Sequence, residues 1–239
     1  PVKHRSESEA RHMSVVRSRA VLVATRTSLI NHVRSMLKTM GLRAPKCSSS
    51  AFVKRVNASL EAADLEALKG VLTCIAEADA RVREYDRMLE ALAKEHYPET
   101  TSLQTVPGVG PITALVFRLV VQSPERFPDS RSVASYLGLV PRRDQSGERD
   151  PQLGISKAGD DYLRTLLVQA GHYLIGPFGQ DGRLRRWGLA LAGRGGKNAK
   201  KRAVVAVARK LSVVLLAMWK SGRDFDAWHN MSPEELAAA

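Results

Sequence analysis

The stretch SVVRSRAVLVATRTSLINHVRSMLK, residues 14–38, decides the fold class. Val15, Leu22, Leu29 and Met36 recur every seven residues, and Val16, Val23, Ile30 and Leu37 repeat that step one position on. Two neighbouring heptad rows make one apolar stripe along a helix. They predict a single long helix over residues 8–40, ended by Gly41 and Pro45. After a Ser-rich loop at Cys47–Ser50 the period returns. Leu68, Ile75, Val82 and Leu89, flanked by Val71, Ala78, Tyr85 and Leu92, predict a second long helix from 60 to 96, stopped before Pro98. The pair fits a long antiparallel helical coiled-coil hairpin packed on itself. It fits a dimerising coiled coil equally well, because both have the same period.

Composition extends the helical reading. Aromatic residues are only 5% of a chain that is 44% hydrophobic, so the core must be built mainly from Leu, Val and Ala. The formal charge is +13, and it is unevenly placed. Residues 60–99 carry ten acidic and five basic side chains, whereas residues 141–220 carry sixteen Lys or Arg against six Asp or Glu. A one-sided surplus of this kind suits a polyanion, because Lys and Arg displace counterions from phosphate backbones. Binding to a membrane surface would need an amphipathic helix with bulky apolar residues opposite the charge, and none stands out. Nor does any segment reach the length of a membrane span; the longest apolar run, about 204–219, is broken by Arg209 and Lys210. Cys47 and Cys74 lack Cys or His partners at metal-binding spacing, which predicts free thiols, a reducing compartment and a cytoplasmic protein.

Near residue 100 Gly and Pro become frequent. This divides the chain into a helical hairpin, 1–99, and a compact helical domain, 100–239. Short helices are predicted in the second part at 111–122, 130–137, 158–175 and 200–220, without a βαβ pattern.

Four motifs in this part bear on chemistry. LQTVPGVGPITA, residues 103–114, has Gly108 and Gly110 in a tight turn with Pro111 at the first position of the next helix. Such glycines leave backbone N–H groups open to a phosphate at a helix N-terminus. That is the helix-hairpin-helix pattern of a backbone-binding DNA module; a plain helix–helix turn is the alternative. YLGLVPRRDQSG, residues 136–147, has Gly138 as a helix C-cap and Pro141 to keep the chain extended. Arg142 and Arg143 then precede Ser146 on a Ser-Gly turn. Guanidiniums beside a hydroxyl suit phosphoryl transfer: they bind the phosphate and stabilise the charge that develops. Ser146 as an ordinary loop serine is the simpler alternative.

GISKAGDDYLR, residues 154–164, offers Ser156 as the N-cap of the following helix and as a second candidate nucleophile. Lys157 and Arg164 are placed to reach phosphate. Finally RLRRW at 183–187 and GRGGKNAKKR at 193–202 bring Lys197, Lys200, Lys201 and Arg202 out of a glycine loop into a helix, as a polyanion site requires. Trp187 either stacks on a base or packs internally. His172 falls within an apolar helix and reads as a core or interface residue. Asp224, Asp226 and His229 are a weak metal-ligand pattern, so no metal site is assigned.

Taken in order, Pro107–Gly110, Leu137–Arg143, Ser146-Gly147, Ile155–Gly159, Leu163-Arg164, Ala208–Leu211 and Phe225-Asp226 resemble the insertion-sequence one-ten class of transposases, also called Piv-type or DEDD transposases. Residues 5–40 resemble the start of that family's coiled coil. The resemblance implies an enzyme in which a RuvC-like domain with four acidic residues binds Mg²⁺. A coiled coil follows, and then a domain whose serine attacks DNA and becomes joined to it. The family's serine, after Leu-x-Pro-Arg-Arg and two further residues and directly before glycine, corresponds to Ser146. The resemblance further implies homo-oligomers, DNA as substrate and a structured guide RNA that pairs with donor and target. This sequence lacks the RuvC-like domain, so the chain is expected to be a fragment or remnant with no cofactor of its own, Mg²⁺ belonging to the missing part. Two other functions fit the residues: a non-catalytic DNA- or RNA-binding module, and a dimeric scaffold acting through residues 8–96.

Overall fold

The computed structural model describes residues 5–146 and 153–229. Mainly α, it divides into two compact units, Pro1–Leu92 and Ala93–Ala239.

Helix α1, Glu7–Thr39, begins with a capping box. The Glu9 N–H donates to Ser6 Oγ at 3.2 Å and the Ser6 N–H to the Glu9 carboxylate at 3.1 Å. The helix ends at Gly41, whose φ of 76° lets the Leu42 N–H reach back to the Leu37 carbonyl at 2.8 Å. The Ser-rich segment is less of a loop than the sequence suggests. A 3₁₀ turn at Ser49–Ala51 runs into α2, Phe52–Asn57, because Phe52 and Val56 are fully buried one helical turn apart. Helix α3, Ala62–His96, returns along α1.

Two ion pairs set the register: Arg19 to Asp86 at 2.6 Å and Arg26 to Asp79 at 2.5 Å. From the first to the second, α1 advances seven residues and α3 retreats seven, as an antiparallel heptad pair requires. The predicted row Leu68, Ile75, Val82 and Leu89 is wholly buried. In the row on α1, Val16, Ile30 and Leu37 are buried and Val23 half-buried. The hairpin therefore closes on itself, with Ile30, Val33, Leu37, Phe52, Val56, Leu68, Leu72 and Ile75 in one cluster. Each fully buried side chain of this size contributes roughly 2 kcal/mol.

In the second unit α4, Thr100–Leu103, and α5, Pro111–Val121, flank the glycine turn. The next elements are α6, Ser132–Tyr136, α7, Asp161–Leu174, α8, Arg183–Gly193, and α9, Ala199–Ser221. Helix α9 is the spine, with α4, α6, α7 and α8 packed against it. The approach is close because small residues meet it. A Cβ on Gly171 of α7 would lie 2.9 Å from the Val204 carbonyl oxygen, and one on Gly188 of α8 would lie 2.6 Å from Val207. Arg118 of α5 is held between the rings of Tyr97 and Trp219, at 5.0 and 5.2 Å, and pairs with Glu99. The sequence did not show α8, because its run of arginines reads as a charged surface.

Candidate nucleic-acid interface and serine loop

The glycine turn forms as its residue types dictate. Gly108 has φ of 85° and lies against α7, where an added Cβ would stand 3.0 Å from the Tyr173 ring. Gly110 is exposed and open, and it caps α5 with no side-chain hydrogen bond, Pro111 following at the first helical position. The two glycines thus do different work: Gly108 allows helix packing, and Gly110 leaves the helix end uncovered. The turn is also tied to the C-terminal segment, since the Phe225 N–H donates to Thr105 Oγ1 at 2.9 Å.

The serine loop rises from a crossing of two backbones. Helix α6 ends with the Leu139 N–H donating to the Ala134 carbonyl at 2.9 Å, and Gly138 sits beyond the cap at φ 66°. From there the chain runs antiparallel to residues 154–157. The Arg142 N–H donates to Gly154, the Ser156 N–H to Val140 (both 2.9 Å), and the Lys157 N–H to Gly138 at 3.1 Å. Pro141 and Ile155 form the bridge between them. A Cβ at Gly138 would fall 2.7 Å from the Lys157 carbonyl carbon and closer still to the Ala158 backbone, while one at Gly159 would collide with the Tyr136 carbonyl. Glycine is needed on both sides. Arg164 then ties the crossing together: its Nη1 donates to the carbonyls of Leu137 at 3.3 Å, Gly159 at 3.2 Å and Ala158. Arg142, Arg143 and Ser146, carried above this crossing, are all exposed. Gly147, the other half of the Ser-Gly turn, lies outside the described residues.

Other assignments change. Ser156 is not the N-cap of α7. Asp160 is, accepting from the Leu163 N–H at 2.9 Å, because the crossing keeps residues 156–159 out of the helix, with Lys157 at φ 58° and Gly159 at φ 73°. Ser156 is half-buried and Lys157 exposed. His172 is exposed, not core: the buried face of α7 is Leu163, Leu167, Ala170, Gly171 and Leu174. Arg183, Arg185 and Arg186 fasten the chain to itself. Arg185 Nη1 donates to the carbonyls of Leu174 and Gly176, both at 2.6 Å. Arg183 Nη1 donates to the His229 carbonyl, and Arg186 pairs with Asp181 and stacks on Trp228 at 4.9 Å. Trp187 is half-buried, with Lys210 above its ring at 4.6 Å. The Arg186 guanidinium holds the Asp181 carboxyl below its ordinary pKa.

The remaining cations face solvent. Lys197, Lys200, Lys201 and Arg202 are all exposed. Lys200, Lys201 and Arg202 lie in the first turn of α9, and Lys197 lies in the loop before it, where Gly195, Gly196 and Asn198 stand at φ 77°, 85° and 76°. That turn contains no acidic residue and no side-chain cap. Cations there oppose the helix dipole, an arrangement that an anion would relieve. Among the described residues no group of three or more His, Cys, Asp or Glu could hold a metal ion, which includes Asp224, Asp226 and His229. Asp226 instead accepts from the Trp228 N–H at 2.9 Å. No helix among the described residues is long and apolar enough to cross a membrane.

Residues 100–181 match the family described as Transposase IS116/IS110/IS902 family. The chain is 32% identical over 212 residues to the transposase for insertion sequence element IS1111A of Coxiella burnetii, a match covering 86% of this chain and 57% of that protein. It is 33% identical over 183 residues to a probable family 20 transposase of Pseudomonas aeruginosa, covering 73% of this chain and 53% of the relative. It is also 30% identical over 125 residues to a pilin gene-inverting protein of Moraxella lacunata, covering 52% of this chain and 38% of the relative. The chain thus spans little more than half the length of the curated transposases it matches.

Proposed function

We propose that this chain, whose residues 100–181 match the IS116/IS110/IS902 transposase family, is the DNA-handling part of a transposase or site-specific recombinase that mobilises an insertion sequence. Ser146 is the nucleophile. Its Oγ gives up its proton to solvent as it attacks a DNA phosphorus, the bridging sugar oxygen leaves and takes up a proton to become a free hydroxyl, and the enzyme–DNA phosphodiester conserves the energy of the bond that broke. Arg142 and Arg143 hold the non-bridging oxygens and stabilise the added charge of the transition state. Gly108 and Gly110, with the N-terminus of α5, contact the sugar-phosphate backbone, and Lys157, Lys197, Lys200, Lys201 and Arg202 extend the contact. Arg164 acts through the crossing rather than on phosphate.

One observation carries this reading. Arg142, Arg143 and Ser146 are exposed together above a crossing that both glycines and Arg164 hold in place. A nucleophile with its clamps on a fixed footing is what phosphoryl transfer needs. Among the described residues no group of three or more His, Cys, Asp or Glu could hold a metal ion, and no step is assigned to a metal in this chain. A RuvC-like domain on a longer protein would hold it. The same resemblance supplies the other parts of the proposal, a structured guide RNA and a homo-oligomeric assembly.

The test is a suicide duplex that traps covalent protein–DNA adducts, with the RuvC-like part of a full-length relative supplied in trans. An adduct lost in Ser146→Ala is expected. An adduct that survives Ser146→Ala and vanishes in Ser156→Ala moves the nucleophile. Salt-sensitive binding with no adduct under any condition reduces the chain to a binding module.

A further inference from the structure

Helix α7 ends in a turn that is tied back and yet presents a large aromatic side chain to solvent. Gly176, Pro177, Phe178 and Gly179 form it, closed by the Gly179 N–H donating to the Gly176 carbonyl at 3.3 Å. Both glycines lie against the last turn of α7. A Cβ on Gly176 would meet the His172 carbonyl oxygen at 2.8 Å, and one on Gly179 would collide with the Leu174 carbonyl. Arg185 fixes the same carbonyl groups, donating to Leu174 and Gly176 at 2.6 Å each. Proline removes one more degree of freedom. A Phe on a loose loop can fold back onto the surface, but this one is held outward, and Phe178 is 81% exposed.

We propose that Phe178 is a wedge that enters a base step of duplex DNA, supported by the backbone contacts at the adjacent glycine turn. Tyr173, five residues before Phe178 and 44% exposed, is the residue against which Gly108 packs. The helix end carrying the aromatic therefore also borders the turn assigned to phosphate. Inserted apolar side chains unstack and kink DNA, and they need firm anchoring and nearby backbone contacts to offset the unstacking. The surrounding sequence, sixteen basic against six acidic side chains over residues 141–220, favours a polyanion over an apolar protein surface as the occupant. This inference rests on the DNA-binding reading above.

The experiment uses the whole chain and a mixed-sequence DNA duplex, and reads binding by fluorescence anisotropy and base unstacking by permanganate oxidation of thymines. The wild-type chain is expected to raise thymine reactivity. Phe178→Ala is expected to bind about tenfold more weakly and to lose the added reactivity at saturating protein. Phe178→Trp is expected to keep both. Reactivity unchanged in Phe178→Ala overturns the wedge. So does a Phe178→Ala chain whose sedimenting mass falls while its DNA reactivity persists, since the residue then serves a protein contact. Wild-type binding without raised reactivity removes this inference alone; no wild-type binding at all removes the DNA reading with it.

Discussion

Gly138 lies so close to Ala158 that no side chain can stand between them: a Cβ at 138 would collide with both the N and the O of Ala158. Gly138 also has φ of 66°, which L side chains rarely adopt. Gly138→Ala therefore meets two penalties, backbone strain and overpacking, and is expected to destabilise the chain by about 2–4 kcal/mol. Gly110→Ala, at an open position with ordinary φ, is expected to change stability by less than about 0.5 kcal/mol. Urea unfolding of the two variants side by side checks the contrast. Equal stability would mean that the crossing is not rigid.

Arg164 separates support from contact. Arg164→Ala leaves three carbonyls without their donor and is expected to cost about 1–3 kcal/mol. Its DNA affinity should fall without a change in the salt dependence of binding. A salt slope reduced by about one would make Arg164 a phosphate ligand instead.

Arg142→Gln and Arg143→Gln are expected to behave in the opposite way. Both side chains are exposed, so thermal unfolding should be unaltered within about 0.5 kcal/mol. Each substitution should weaken DNA binding and lower the magnitude of the salt slope by about one. Anisotropy titrations at several salt concentrations give both quantities.

The first turn of α9 predicts a gain in stability from a loss of charge. Replacing Lys200 and Lys201 by Ala removes two cations from the positive end of a helix dipole and adds helix propensity. The free protein should become more stable by about 0.5–1 kcal/mol while DNA affinity falls. A destabilised variant would show that these side chains hold the fold.

In the hairpin, Asp79 accepts from both Arg26 and Arg83 and is nine-tenths buried. Asp79→Ala leaves the half-buried Arg26 guanidinium without its partner and is expected to cost about 3–5 kcal/mol. The exposed pair Lys69–Glu66 should contribute at most about 0.5 kcal/mol. A double-mutant cycle for each pair, read by urea unfolding, tests the difference.

How legible the sequence was depended on what held each element in place. The long helices were readable because every seventh apolar residue on α3 is buried, so burial repeats the pattern of the letters. Helix α7 was readable in its length but not in its start. Ser156 and Asp160 are both good caps, and only the crossing of residues 136–138 with 157–159, a contact remote in sequence, selects Asp160. Of the two readings of His172, core and interface, the core one was excluded by spacing alone, since the residue falls off the stripe set by Leu163, Leu167, Ala170 and Leu174. The internal partners of the α8 arginines were not legible, because charge says nothing about partners. Arg185 caps the end of α7, a role visible only once the Gly176 turn has folded. The Arg142–Ser146 segment was legible as an exposed loop, but its footing was not, because the two glycines that form it are twenty-one positions apart.

That footing bears on how the protein can vary between descendants. With Arg142 bonded to Gly154 and Val140 to Ser156, both feet of the intervening segment are stapled. Insertions and deletions between the feet leave the staples untouched, so relatives can differ in the length of this span. A single residue gained between Tyr136 and Arg142 would reverse which side chains face outward and dismantle the platform. Drift in length should accumulate on one side of the staple and be purged on the other.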